Sequence, residues 1–516
     1  MKRPPAVPSG LLNRRLQEAE AAWARKDFQE CITTLESANR LAPANTGIIL
    51  QLGRIHGLRY DYAAAKHCFE KALRLAPQKS EMLAAIVDSC QNFRNPELAE
   101  QHLLQAIEQP DVTPQVCIKL AELYERLRRL PEAAQLVERA LKLNATFPAA
   151  LLVRARLDRL AGRLETAEQG LRSFITKPIP DIGIHAQACY ELAQILDRQN
   201  RHDEAMTAFL QGKALLAPQA PRLITELKAF RDRLKVMQSN VSSGMFQRWS
   251  DDASGLIPPQ RLALLCGYAR SGTTMLEQIL DSHSDIVSAE ETDVFLNEAF
   301  APLRRQFQPD AYMLPVLEAA AIPALQQARS AYFRIMGLCI GQPIAGRLLV
   351  DKNPGHAFLI PAFLRIFPET KFLIALRDPR DVALSCFMQF YHPLNPVTAA
   401  NLTLEGTVQD YADLMSIWRT LAPMLSGHYL EIKYEDMVED LESVARRTLG
   451  FLGVPWDARV LEFNEHARKK MVLSPTYADV TQPVYKRARG RWRHYQKYLE
   501  PHLEKLEPFV KAFGYE

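Results

Sequence analysis

RLALLCGYARSGTTMLEQIL, residues 261–280, decides the fold. Leu262 to Cys266 is a short apolar run suited to a buried strand. Gly267 to Thr274 is a glycine-bounded loop, and Met275 to Leu280 has a helical pattern. A strand, a glycine loop and a helix in that order place helix N-terminal amides around a phosphate. Gly267 and Gly272 hold the spacing of a Walker A loop, with Thr274 at its hydroxyl position. Thr273, however, stands where such a loop has its lysine, so the clamp on a β/γ-phosphate is missing. A ligand with one phosphate at its 5′ end needs only backbone N–H groups, hydroxyls and one cation, and Arg270 supplies the cation.

Outward from that loop, the same transition recurs. Lys371 to Leu376 reads as a strand, Arg377-Asp-Pro-Arg-Asp381 as a turn, and Val382 to Phe390 as a helix. Arg377 at the strand end and Ser385 eight residues on can converge on one anion. In open α/β sheets ligands sit beyond the carboxyl ends of strands. Two anion sites at two strand ends suit an adenosine phosphorylated at both ends, a description that 3′-phosphoadenosine 5′-phosphosulfate (PAPS) meets.

The first half of the chain has a different grammar. Cys31, Ala65, Ala99, Ala133 and Ala167 recur at intervals of 34. Four residues on come Leu35, Phe69, Leu103, Val137 and Leu171, then Ala38, Ala72, Ala106, Ala140 and Phe174. These i, i+4, i+7 positions share one helix face. Ala205 and Phe209 continue the pattern after an insertion around Lys177 to Gly183. The period and the alternation of small with bulky residues resemble the tetratricopeptide repeat over about residues 12–218, which implies six helix pairs stacked into a solenoid with a concave groove. Pro221 to Ser239 would cap it. Such a groove recruits a peptide or partner protein, or serves as a dimerisation module or spacer.

Composition narrows the function classes. In a chain of 516 residues, 47% apolar and 24% charged is ordinary globular composition, so two or three packed domains are expected. A net charge of +4 gives no reason to expect nucleic acid or an acidic membrane as partner. The eight cysteines form no C-x-x-C pair and no metal spacing, which suits thiols in a reducing compartment. With no signal-like apolar region and no long apolar run, a cytoplasmic location is expected, and with no Cys/His metal spacing no metal is expected.

The second half then acquires a family resemblance. GYARSGTT (267–274), AEET (289–292), DKNP (351–354), LRDPRDVALS (376–385), KYED (433–436) and QPVYKRARGRW (482–492) together resemble the PAPS-dependent sulfotransferases, in particular the tyrosylprotein branch and repeat-linked bacterial relatives. The resemblance covers about Pro258 to Glu516. It implies Arg270, Ser271, Gly272, Thr273 and Thr274 around the 5′-phosphosulfate, with Arg377 and Ser385 at the 3′-phosphate. Tyr434, Thr476 and Arg491 are implied as further cofactor contacts. Glu291 takes the position of the base that deprotonates the acceptor hydroxyl, and Lys352 that of the cation on the oxygen leaving with 3′,5′-adenosine bisphosphate. Thr476 or Ser474 would add a hydroxyl donor there.

Three departures from the family pattern matter. Arg491 replaces a lysine. Gln389 stands where the tyrosylprotein members have a second 3′-phosphate arginine, for which Arg380 or Arg489 would have to compensate. Asp293 stands where they have an arginine that engages acidic residues around the target tyrosine, which points to an acceptor hydroxyl in a neutral or basic context, on a peptide, a sugar or a small molecule.

The reading is therefore α + α/β: a repeat array with capping helix at 12–240, then a three-layer P-loop-like domain with a parallel sheet at 256–516. Two rivals remain at this level. A P-loop kinase could use Leu348-Leu-Val-Asp351 as a Walker B strand, and a scaffold could carry a catalytically dead second half. Thr273 counts against the first, and the retained Arg270, Glu291, Lys352, Arg377 and Ser385 against the second. His283 reads as a helix-ending structural residue.

Overall fold

The computed structural model describes residues 9–91, 93–308, 311–425, 427–468, 480–481 and 488–516. From Ser9 to Leu216 the chain runs as twelve helices in six pairs, followed by a longer helix, Ala220–Asn240. The repeat register appears directly in the burial. Cys31, Ala65, Ala133 and Ala167 are buried, as are Phe69, Val137 and Leu171 four residues on; Ala99 alone of that alanine column is half-buried. Small side chains sit where paired helices approach and bulky ones fill the layer next to them.

The turn inside five of the six pairs repeats too, the third pair being the exception among the described residues. Lys26, Tyr60, Arg128 and Gly162 have positive φ (57°, 66°, 61° and 78°), and Asn200 (60°) follows the insertion. Helices Phe28–Leu41, Tyr62–Leu75 and Pro96–Ile107 start at Asp27, Asp61 and Asn95, whose side chains accept the amide three residues on. Such caps satisfy amides that a helix start leaves without partners.

Five parallel strands follow: β1 (Leu262–Gly267), β2 (Ile286–Glu290), β3 (Leu348–Lys352), β4 (Lys371–Leu376) and β5 (Tyr429–Lys433). Their order is β2-β3-β1-β4-β5. β1 is central, pairing Leu265 with Lys352 of β3 on one side and Gly267 with Ala375 of β4 on the other. Continuous burial of β1, β2 and β3 is what a parallel sheet covered on both faces requires. One face packs Leu265, Val350 and Ile432 against Leu276, Ile279 and Leu280 of helix Thr273–Asp281 and Leu449 of helix Leu441–Leu452. The chain leaves β1 toward β2 on one side and reaches β4 on the other, so the carboxyl ends of β1 and β4 flank a topological switch point.

Compactness divides the chain differently from sequence pattern. One unit is Met1–Val153 with Phe333–Gln342; the other is Arg154–Tyr332 with Pro343–Glu516. The last helix pair, Ile182–Arg198 and His202–Leu216, and helix Ala220–Asn240 thus belong to the same unit as the sheet, although the repeat pattern groups them with the residues before them. All eight cysteines are free thiols. Among the described residues no helix is long and apolar enough to cross a membrane.

Candidate active site at the carboxyl ends of the strands

β1 ends at Gly267 with φ 142°. The loop that follows is held from several sides. Tyr268 donates its hydroxyl to Asp410 at 2.7 Å, and Ser271 N–H donates to the Tyr268 carbonyl at 3.3 Å. Arg270 takes a left-handed φ of 69° and Gly272 one of 90° as the N-cap of helix Thr273–Asp281. A Cβ on Gly272 would lie 2.8 Å from the Tyr434 ring, so only glycine lets the loop close here. The amides of the first helical turn then face the end of β1, an arrangement that attracts an anion.

Arg377 follows β4 and is buried. It donates from Nη1 to the Arg270 carbonyl at 3.2 Å and from Nη2 to the Ala488 carbonyl, and it lies 4.9 Å over the Tyr434 ring. Its Nε is buried without a hydrogen-bond partner among the described residues. Arg270 Nε donates to Ser385 Oγ at 3.2 Å. Arg270, Arg377, Ser385 and Tyr434 therefore form one cluster, joining the two strand ends that the sequence suggested separately. Arg377 Nη2 also lies 3.8 Å from the buried carboxylate of Asp381, so Nε is the donor left over, and a buried donor of that kind beside the loop amides fits a phosphorylated nucleotide.

The second cluster lies at the ends of β2 and β3. Glu291, directly after β2, has φ 47°, and its amide donates to the Lys352 carbonyl at 2.6 Å. Lys352 Nζ in turn donates to Glu291 Oε1 at 2.8 Å. Two further carboxylates face the same ammonium: Glu290 at 3.4 Å and Glu277, from helix Thr273–Asp281, at 3.5 Å. Lys352 and Glu277 are fully buried, while the Glu291 side chain is 41% exposed. Burial alone would lower the lysine's affinity for its proton; the carboxylates of Glu277, Glu291 and Glu290 outweigh it and hold Lys352 charged, well above its ordinary range. Ser288 Oγ donates to Glu277 at 2.8 Å and fixes that carboxylate. Glu277 was missed in the sequence because it occupies an ordinary helical position; it meets Lys352 because β3 lies beside β1, beneath the helix that follows β1.

Other expected residues are placed elsewhere. Arg491 Nη2 donates to Asp197 Oδ2 at 2.8 Å rather than joining the Arg270 cluster by a hydrogen bond. Arg380 is taken by Asp378 at 2.8 Å and Arg489 pairs with Glu439 at 3.6 Å, so both candidates to compensate for Gln389 have carboxylate partners. Thr476 and Ser474 lie outside the described residues. Asp293 is exposed. His283 is buried, with Nε2 2.8 Å from the Pro455 carbonyl and Nδ1 accepting from Asp285 N–H, a structural role. Asp351 is buried and accepts from Tyr332 OH at 2.8 Å.

The parallel α/β domain thus carries a lysine-less loop after β1, a buried arginine after β4 and a carboxylate–lysine pair at the ends of β2 and β3. Residues 263–458 match the model of the sulfotransferase family, and residues 47–79 and 186–215 match the tetratricopeptide repeat. The similarity to the sulfotransferase family is thus confined to residues 263–458, within the α/β part of the chain, and the similarity to the repeat to two segments of the first half.

Among its relatives, an uncharacterized protein of Aquifex aeolicus is 25% identical over 406 residues, 76% of this chain and 50% of that one. Protein-tyrosine sulfotransferase A of Caenorhabditis elegans is 24% identical over 52% of this chain and 70% of its own. Protein-tyrosine sulfotransferase 1 of Danio rerio is 26% identical over 45% of this chain and 65% of its own. The chain thus spans half the length of the Aquifex relative. A solved structure, the sulfotransferase domain of the Synechococcus olefin synthase, is 21% identical and aligns over 50% of this chain and 96% of that one with a TM-score of 0.35.

Proposed function

We propose that this protein moves a sulfuryl group from PAPS to an acceptor hydroxyl. The observation that carries the reading is the Glu291–Lys352 pair, a half-exposed carboxylate on a buried ammonium at the sheet edge whose central strand carries the anion loop. In this reading Glu291 accepts the proton of the acceptor hydroxyl as its oxygen bonds to sulfur. The bond between sulfur and the bridging oxygen breaks, and that oxygen leaves on 3′,5′-adenosine bisphosphate with Lys352 as counter-charge. Ser271, Gly272, Thr273, Thr274 and Arg270 hold the 5′ end, Arg377 and Ser385 the 3′-phosphate, and Tyr434 backs the loop. Thr476 and Arg491 complete the donor site.

Two features support this over a kinase. Thr273 leaves the loop without its lysine, and Asp351, the Walker B candidate, is buried on the Tyr332 hydroxyl. For the acceptor, the exposed carboxylates of Glu291 and Asp293 favour a hydroxyl in neutral or basic surroundings. The repeats in this reading recruit the acceptor or a partner protein. The test is transfer of labelled sulfate from PAPS to matched tyrosine peptides, one acidic and one basic, and to sugars. Transfer with a basic or neutral preference is expected. No release of bisphosphate with any acceptor contradicts the activity, and preference for the acidic peptide that Asp293→Arg does not increase contradicts the assignment of Asp293.

A further inference from the structure

Arg491 lies in a segment fixed from two sides. On one side is Asp381, at the start of helix Pro379–Phe387: its Oδ2 accepts from Gly490 N–H at 2.7 Å and its Oδ1 from Trp492 N–H at 2.8 Å. The amides flanking Arg491 are thus held by the helix that carries Ser385, and Ala488 just before them accepts from Arg377. On the other side is Asp197, in the last turn of helix Ile182–Arg198. Its Oδ2 accepts from Arg491 and its Oδ1 from Tyr495 OH at 2.6 Å, Tyr495 being fully buried. His202, from the second helix of that last pair, stacks on His494 at 4.7 Å.

A second carboxylate of the last pair also reaches this segment, but differently. Asp203 accepts from Lys497 at 2.8 Å and from Tyr498 at 3.1 Å, with side chains 67% and 62% exposed for Asp203 and Lys497. That is a surface tether of the kind that contributes little. The Asp197 side chain is 19% exposed, accepts from two donors, and holds a side chain whose flanking amides are bound to the helix that carries Ser385. An arginine held by a carboxylate at one nitrogen keeps further N–H donors in a fixed fork for a second anion.

We propose that Asp197 is a positioning residue of the donor site: the last helix pair of the repeat array sets the direction of the Arg491 guanidinium so that its remaining donors meet the bound nucleotide. The last pair is in this view part of the nucleotide site rather than an arm that only recruits the acceptor. The inference rests on the reading that the site binds an adenosine bisphosphate.

The experiment is calorimetric titration of the full chain with 3′,5′-adenosine bisphosphate, for wild type, Asp197→Asn, Asp203→Asn, Arg491→Gln and the Asp197→Asn/Arg491→Gln double variant, each with its melting curve. Asp197→Asn should weaken binding about tenfold, the size of one charge-assisted hydrogen bond. Asp203→Asn should stay within about twofold, as expected of a surface pair. The double variant should bind no more weakly than Arg491→Gln alone, because the aspartate acts only through the arginine. Wild-type affinity in Asp197→Asn overturns the inference; so do tighter binding, equal losses in the two Asn variants, and independent addition of the two losses. If wild type itself fails to bind the bisphosphate, the proposed function falls and this inference with it, whereas binding that Asp197→Asn leaves untouched removes the inference alone.

Discussion

Lys352 shows how one residue can set the chemistry and the stability of a site together. Its ammonium faces Glu291, Glu290 and Glu277, and neither Lys352 nor Glu277 meets solvent. Replacing it with methionine leaves Glu277 and Glu290 buried without their shared counter-charge. Removing one partner of a buried ion cluster costs about 3–5 kcal/mol, so Lys352→Met should move the denaturant midpoint strongly. Glu291 is partly solvated, and Glu291→Gln should cost less than about 1 kcal/mol. The same variant should keep its affinity for 3′,5′-adenosine bisphosphate yet lose about 10²- to 10⁴-fold in turnover, the range for loss of a general base. The two assays separate the roles: a stable, nucleotide-binding Glu291→Gln with unchanged turnover excludes it as the base.

Between one element and the next, the loop after β1 depends on backbone conformation more than on side-chain identity. Gly272 has φ 90° with the Tyr434 ring behind it, so Gly272→Ala should disturb the loop and weaken bisphosphate binding by about tenfold or more in a titration, a cost of about 1–3 kcal/mol being typical of a forced left-handed residue beside a contact. This loop was legible in the sequence because two glycines and two threonines bracket it between an apolar run and a helical one. The repeat helices were legible for a similar reason, their faces being marked every 34 residues. The turns between them were not. Lys26, Tyr60, Arg128, Gly162 and Asn200 share a left-handed conformation but no side-chain type, and only the helices after Lys26 and Tyr60 start on a capping carboxylate, those after Arg128, Gly162 and Asn200 starting on an arginine that makes no cap. Nor was the joining of Arg270 to Ser385 legible, since it depends on β4 lying beside β1.

At the level of the whole molecule, the repeat pattern and the packing draw different boundaries, because the last helix pair is fastened to the α/β domain by buried polar contacts. Lys213 is one of them. It is buried, donates to the Asn401 carbonyl, and lies 4.3 Å over the Phe387 ring. Burial pushes its amine down to about 7. In the unfolded chain a lysine titrates near ~10.4, so between these values the unfolded state binds a proton that the native state does not. Stability should therefore rise as pH increases from about 7 toward about 10, through this group. Lys213→Met should flatten that rise in melting curves recorded across the interval; an unchanged slope would show that Lys213 stays charged in the native state. The sequence placed the end of the array at about residue 240 because helical periodicity continues to that point, and periodicity does not record which unit a helix face packs against.

The measurement that bears most directly on the account is a calorimetric titration of the wild-type chain with 3′,5′-adenosine bisphosphate and with ADP–Mg²⁺, repeated for Arg377→Ala with the bisphosphate and with adenosine 5′-phosphosulfate. Binding of the bisphosphate is expected, with little or none of ADP–Mg²⁺, and a loss in Arg377→Ala far larger for the bisphosphate than for the ligand lacking a 3′-phosphate. Tight binding of ADP–Mg²⁺ with none of the bisphosphate would contradict the proposed function.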